Sequence, residues 1–76
     1  MKTGETKTLA FKRLATNRAN NILNKIRLLG NLSNPNNYSY TSDEVQRIFR
    51  TIDEELKLSK ARFNLELRRK QKNFNL

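Results

Sequence analysis

The fold is decided by the stretch Gly30-Asn-Leu-Ser-Asn-Pro-Asn-Asn-Tyr-Ser-Tyr-Thr41, because it separates two long helical patterns. It holds the single proline and both tyrosines of the 76-residue chain. Gly30 can adopt the left-handed conformation that ends a helix. Pro35 forces the preceding residue away from the helical region and suits the first central position of a tight turn. The pattern predicts a non-helical corner over residues 30–41.

Thr41 and Glu44 predict where the second helix begins. They match a capping box, in which the Thr41 hydroxyl accepts from the Glu44 amide and the Glu44 carboxylate accepts from the Thr41 amide. We expect this helix over about residues 42–70, since its apolar residues recur at three- and four-residue steps. They are Val45, Ile48, Phe49, Ile52, Leu56, Phe63 and Leu67.

The same periodicity predicts a first amphipathic helix over about residues 7–29. Its apolar residues are Phe11, Leu14, Ala15, Ala19, Ile22, Leu23, Ile26 and Leu29. Its opposite face holds Arg13, Asn17, Asn20, Asn24 and Arg27. Asparagine is a mediocre helix former, so helix stability alone does not explain this face. We interpret it first as a solvated face and second as a functional one.

Together these patterns predict an all-α fold, an antiparallel two-helix hairpin in one domain over residues 1–76 with frayed ends at 1–6 and 71–76. Residues that face each other across the corner have numbers that sum to about 71. Ile22 should then contact Phe49. Arg18 lies within the apolar stripe and should pair with Asp53 or Glu55, because burying a charge alone is costly.

The second helix continues about ten residues beyond its predicted mate, at about 1.5 Å per residue. Its end carries apolar residues on two faces, and so small a chain usually needs reinforcement. We predict that a homodimer covers this segment, with a larger partner as the alternative. The expected self-association residues are Leu58, Phe63, Leu65 and Leu67.

The net charge of +9 is unevenly distributed. Residues 1–30 carry seven bases and one acid, residues 43–59 carry three bases and five acids, and residues 60–76 carry six bases and one acid. A hairpin would bring both basic ends to one pole, which favours contact with nucleic-acid phosphates. The candidate residues of this basic pole are Lys7, Lys12, Arg13, Lys60, Arg62, Arg68, Arg69, Lys70 and Lys72.

The corner carries no charge but several polar and aromatic side chains. Tyr38 and Tyr40 could stack on bases or fill a pocket of a partner, with Asn34 and Asn37 beside them. The same residues can also cap backbone groups and close the end of the hairpin. We favour this structural role over a partner-binding corner.

Catalysis is not expected. The chain has no cysteine and no histidine, no glycine-rich phosphate loop and no metal-ligand spacing, so we predict neither a cofactor nor a metal. No apolar run approaches the ~20 residues of a membrane span. The first residues lack the apolar segment of a secretory signal, which predicts a cytoplasmic protein.

A resemblance to small uncharacterised bacterial proteins associated with plasmids and phages is carried by the run Ile26-Arg-Leu-Leu-Gly-Asn-Leu-Ser-Asn-Pro-Asn-Asn-Tyr-Ser-Tyr-Thr-Ser-Asp-Glu-Val45, followed by Ile48 and Leu56. The resemblance covers residues 10–63. It implies a bacterial or mobile-element setting and an accessory role. It assigns no functional residue.

Two hypotheses follow for the function. The first is a small basic nucleic-acid-binding accessory or regulatory protein whose basic pole contacts phosphate. The second is a protein-interaction module, such as an inhibitor or adaptor from a mobile element. In that case the corner and Leu58 with Leu65 form the interface, and the positive charge targets an acidic protein surface or a nucleic-acid-binding enzyme.

Overall fold

The computed structural model describes residues 4–71, and this part of the chain is helical with no strand. Helix α1 spans Lys7–Gly30, a 3₁₀ turn follows at Asn31–Ser33, and helix α2 spans Ser42–Gln71. The predicted all-α class is confirmed, and the helix bounds agree with the predicted ones to within one residue. The chain divides into two units, Met1–Ser39 and Tyr40–Leu76.

Helix α1 begins at a side-chain cap. Thr6 has extended backbone dihedrals, and its hydroxyl accepts from the Leu9 amide at 3.1 Å. Its carbonyl accepts from the Ala10 amide at 2.9 Å, which starts the helical ladder. Residues 1–6 were expected to fray, whereas Thr6 serves as the N-cap. This cap satisfies one of the amide groups that every helix start leaves without an internal partner.

The end of α1 corrects the role predicted for Gly30. Gly30 has a right-handed conformation with φ −61°, so it belongs to the helix, and no left-handed residue ends it. The Asn31 amide donates back to the carbonyls of Arg27, Leu28 and Leu29, and the chain tightens into the 3₁₀ turn. The non-helical corner is therefore shorter than residues 30–41 and begins at Asn34.

Pro35 is the residue that stops the helical path. Asn34, directly before it, is extended with φ −67° and ψ 110°, as the ring of a following proline requires. The Asn34 carbonyl then accepts from the amides of Asn37 at 3.2 Å and Tyr38 at 3.1 Å. Its side-chain oxygen accepts from the Asn36 amide at 3.0 Å. The predicted tight turn with Pro35 and Asn36 at its centre is confirmed.

Helix α2 begins with the predicted capping box. The Thr41 amide donates to the Glu44 carboxylate at 2.9 Å, and the Glu44 amide donates to the Thr41 hydroxyl at 3.1 Å. Asp43 and Glu44 place negative charge in the first turn, and Arg68, Arg69 and Lys70 place positive charge in the last turn. Both placements complement the helix dipole. A local capping signal thus sets the start of α2, and the charges at both ends stabilise the helix.

Each helix carries the predicted apolar stripe, but neither unit buries a hydrophobic side chain within itself among residues 4–71. Ile22 and Phe11 in the first unit are exposed, as are Phe49 and Leu56 in the second. A single amphipathic helix has nothing of its own to cover its apolar face. Each unit therefore presents an apolar stripe that can pack against another element.

Candidate nucleic-acid interface

The first basic cluster lies on the first two turns of α1. Lys7, Lys12 and Arg13 are exposed there, and the first turn holds no acidic residue. Positive charge in the first turn of a helix opposes the helix dipole, so Lys7 does not stabilise the start of α1. An anion bound at this end would relieve the repulsion.

Arg13 forms an ion pair that the sequence analysis does not predict. Its Nε donates to Glu5 Oε2 at 2.8 Å, and its Nη2 donates to Glu5 Oε1 at 3.1 Å. The Glu5 side chain is 18% exposed and that of Arg13 is 53% exposed. The hydrogen bond from Arg13 lowers the pKa of the Glu5 carboxyl and raises the pKa of Arg13. Glu5 occupies the guanidinium in the two-point geometry that a phosphate would use.

The second basic cluster lies on the last third of α2, and all of its described members are exposed. They are Lys60, Arg62, Arg68, Arg69 and Lys70. Lys72, also predicted for the basic pole, lies outside the described residues. At about 100° per residue, these side chains surround the helix rather than forming one row. Arg62 and Arg69 share one line, whereas Lys60 lies at the edge of the apolar stripe and Lys70 lies within it.

Arg69 also has an acidic neighbour, Glu66, one turn before it. Arg69 Nη1 lies 3.2 Å from both carboxylate oxygens of Glu66, and the two side chains are 71% and 67% exposed. An exposed pair that uses a single nitrogen contributes little, because water screens it and two long side chains lose freedom. Glu66 therefore restrains Arg69 far less than Glu5 restrains Arg13.

Leu58 and Leu65 lie on the side of α2 opposite the apolar stripe. They are 59% and 57% exposed and seven residues apart, so they line up on the helix surface. Arg62 and Arg69 run beside them at the same spacing. Phe63 and Leu67, the other two predicted self-association residues, are exposed and continue the apolar stripe. The end of α2 thus has two apolar lines with basic residues between them.

The structure gives Asn34 a structural role, since its carbonyl and side-chain oxygen hold the turn. Tyr38 follows that turn in the first unit and is exposed. Tyr40 belongs to the second unit, where it lines a shallow open depression with Val45, Ile48 and Ile52. The backbone amide of Asn37 donates to the Asn34 carbonyl, and the residue is exposed. The partner-binding role of these four residues stays a prediction.

The outward face of α1 has a regular pattern of its own. Arg13, Asn17, Asn20, Asn24 and Arg27 are all exposed and follow one another at steps of four, three, four and three residues. They share an arc of about 80° at 100° per residue. Each asparagine costs up to about 0.7 kcal/mol relative to alanine in a helix interior. The asparagines of this face therefore lower the stability of the helix and place amide groups on its surface.

Other kinds of site find no support in the described residues. Within residues 4–71, no group of three or more acidic, cysteine or histidine side chains is placed to hold a metal ion. Neither helix in that range is long and apolar enough to cross a bilayer. Comparison with known protein families, curated proteins and solved structures finds no match to this chain.

Proposed function

We propose that this chain is a small, basic, non-catalytic protein that binds nucleic acid in an accessory or regulatory role. The observation that supports this most is the exposure of every described lysine and arginine of both basic clusters. With a net charge of +9, the chain offers many cations and few acids to neutralise them. Clustered exposed bases are the electrostatic signature of a polyanion-binding surface. The resemblance noted above suggests a bacterial mobile-element setting.

The proposed arrangement is the antiparallel hairpin. Each helix carries an apolar stripe that its own unit leaves uncovered, and pairing the two stripes would bury both. In this proposal, the turn at Asn34–Asn37 would lie where the chain reverses between the helices. In this arrangement Ile22 packs against Phe49 and Arg18 reaches Asp53 or Glu55. The start of α1 and the end of α2 then lie together and form the basic pole.

Self-association completes the proposal. In the hairpin, the last turns of α2 extend beyond the start of α1 and leave Leu65 and Leu67 exposed. Phe63 lies next to this segment, and Leu58 lies with Leu65 on the side of α2 that faces away from α1. A two-fold mate could lay its own α2 end against this one and cover one of the two apolar lines. Basic residues at that end repel each other across the dimer. Added salt or a bound polyanion should therefore favour dimerisation.

Binding at the basic pole would use phosphate contacts. Lysine and arginine side chains pair with phosphate oxygens whatever the base sequence, so this pole would supply affinity and not sequence preference. Neutralising phosphates releases condensed counterions, which makes such binding strongly dependent on salt. Neither a cofactor nor a metal is required.

The experiment is fluorescence anisotropy with mixed-sequence DNA and RNA at low salt. Arg68→Glu/Arg69→Glu reverses two charges of the basic pole. Arg47→Glu/Arg50→Glu reverses two charges on the acidic half of the same helix and changes the net charge equally. The first variant should lose more than about tenfold in affinity, and the second should lose much less. Circular dichroism should show that both remain helical.

Two results would overturn this function. In the first, the wild type shows no salt-dependent binding to mixed DNA or RNA at low ionic strength. In the second, both double variants lose affinity equally, which would mean that only total charge matters and no basic pole exists.

The second candidate is a protein-interaction module, an inhibitor or adaptor acting on an acidic surface or on a nucleic-acid-binding enzyme. The aligned exposure of Leu58 and Leu65 favours it, since two leucines in one line on a helix form a contact surface. Capture from a nuclease-treated host lysate tests it, with Leu58→Glu/Leu65→Glu as the control. A partner that is retained after nuclease and lost with the control would give this candidate the lead.

A further inference from the structure

We propose that the outward face of α1 reads base edges in the major groove of double-stranded DNA. This face, called the amide stripe below, consists of Asn17, Asn20 and Asn24 with Arg13 and Arg27 at its two ends. The inference rests on the proposed nucleic-acid binding and goes beyond it, because the basic pole supplies affinity without sequence preference. The amide stripe would supply the sequence preference and would select duplex DNA.

The geometry of α1 brings the stripe together. The helix is continuous over Lys7–Gly30, so side chains at steps of four and three residues stay on one side. Asn17, Asn20 and Asn24 lie within about 60° of one another at 100° per residue. Asn21, the next residue after Asn20, lies about 80° from the centre of the stripe. The chain thus offers an asparagine inside the stripe and one beside it on the same helix.

The amides of the stripe are available to a ligand. Asn17, Asn20 and Asn24 are exposed, and none of their side chains is hydrogen-bonded within the described part of the first unit. By contrast, Asn34 uses its side-chain oxygen to hold the turn. Asparagines in helix interiors that do not cap, turn or pair have no structural role of their own. Their regular alignment offers an external ligand three amide groups on one side of the helix.

The chemistry of the stripe matches base edges. An asparagine amide donates and accepts at once, and in the major groove it pairs with N6 and N7 of adenine. Arginine pairs with O6 and N7 of guanine or with phosphate. From Asn17 to Asn24 the helix rises about 10 Å, the length of about three base pairs. Neutral amides with Arg27 at one end and Arg13, which would have to exchange Glu5 for the DNA, at the other suit the floor of a groove between two rows of phosphates.

The shape of α1 favours DNA over duplex RNA. A helix with its side chains is about 10–12 Å across, and the major groove of B-form DNA is about 12 Å wide. The major groove of A-form RNA is deep and narrow, so side chains on a helix cannot reach its bases. The apolar stripe of α1 lies on the other side of the helix, so docking in the groove leaves that stripe available for packing.

The test begins by enriching sites for the wild type from a random DNA duplex library. Anisotropy then compares the enriched duplex, a scrambled duplex and an RNA duplex of the same sequence. The wild type should prefer the enriched duplex by at least about tenfold. Asn17→Ala/Asn20→Ala/Asn24→Ala should lose this preference and keep its affinity for the scrambled duplex. Asn21→Ala/Asn64→Ala, which replaces exposed asparagines outside the stripe, should keep the preference.

Each other outcome overturns the inference in a distinct way. If the wild type binds DNA but no site is enriched, base reading is wrong and the proposed nucleic-acid binding stands. If the triple variant keeps the preference, other residues read the bases. If RNA duplex binds as well as the enriched DNA, the groove assignment is wrong. If the wild type binds no nucleic acid, the inference and the proposed function fail together.

Discussion

Helices α1 and α2 each carry one apolar stripe, but their opposite faces differ in chemistry. On α1 that face is the amide stripe, which carries hydrogen-bonding groups that are neutral between two arginines. On α2 it carries Leu58 and Leu65 with arginines beside them. Amides are satisfied by a polar ligand, and exposed leucines gain by burial in a contact. The two helices therefore share an apolar stripe, but their opposite faces would suit different kinds of contact, polar on α1 and apolar on α2.

The largest expected effect distinguishes a substitution in the apolar stripe of α1 from one in its amide stripe. Ile22→Ala should cost about 2–5 kcal/mol in the free energy of unfolding if Ile22 packs against Phe49 in the proposed hairpin. Asn20→Ala, on the outer face, should be neutral or stabilise by up to about 0.7 kcal/mol. Urea denaturation followed by circular dichroism measures both. Equal small effects would mean that the apolar stripe of α1 covers no core.

The next effect separates the outer faces of the two helices. Leu58→Glu/Leu65→Glu should weaken dimerisation at least tenfold, about 1.4 kcal/mol, because charges replace the apolar line of α2. Asn17→Glu/Asn24→Glu has the same seven-residue spacing on α1 and should leave dimerisation unchanged. Sedimentation at two salt concentrations measures the dimer. A strictly monomeric wild type with a folded end of α2 would favour a different partner for these leucines.

A smaller effect distinguishes two threonines of the second unit. Thr41→Ala removes the hydroxyl that accepts from the Glu44 amide and should cost about 1 kcal/mol. The Thr51 hydroxyl donates to the Arg47 carbonyl at 2.9 Å inside the helix. Thr51→Ala should be neutral or slightly stabilising, because alanine is the better helix former. Thermal unfolding of both variants tests this difference, and an equal loss would show that the cap has no special role.

The smallest effect concerns the two acids that pair with arginines of the proposed basic pole. Glu5→Gln should free Arg13 and raise nucleic-acid affinity a few-fold, because Glu5 competes with phosphate for the guanidinium. Glu66→Gln removes the same charge, but its exposed pair with Arg69 restrains little, so affinity should rise less. Anisotropy at low salt measures both. An equal rise in both variants would mean that the affinity depends on net charge alone.

The Glu5 pair also predicts a dependence on pH. Arg13 lowers the pKa of the Glu5 carboxyl. The pair therefore contributes its full stabilisation of the folded chain above the ordinary glutamate pKa of about 4.3. The contribution is lost as pH falls through the lowered value. In an NMR titration, Glu5 should have a lower midpoint in the wild type than in Arg13→Gln. Identical midpoints would show that the pair does not form in solution.

Short-range signals explain why the helix bounds could be predicted. The Thr41–Glu44 box acts over three residues, and Pro35 acts on the residue before it, so both are visible in sequence. The sequence predicts a left-handed Gly30 because glycine often ends helices. The 3₁₀ turn lets the chain leave α1 without that conformation, and Pro35 ends the helical path instead. The residue that ends the helical path, Pro35, thus lies five residues beyond Gly30.

Longer-range features of the candidate site could not be predicted in the same way. The Glu5–Arg13 pair joins residues eight apart across a helix start, and no helical spacing rule covers it. The basic clusters were visible as composition, but their distribution around α2 depends on the helix. The roles of Leu58 and Leu65 cannot follow from exposure alone, because surface leucines are common.

The dependence of DNA affinity on salt tests nucleic-acid binding most directly. Anisotropy of a mixed-sequence duplex should be measured with the wild type over a series of salt concentrations. If three or more residues of the basic pole contact phosphate, the logarithm of affinity should fall with the logarithm of salt with a slope of about −3 or steeper. A slope near zero, or no binding at the lowest salt, would contradict a phosphate-binding pole.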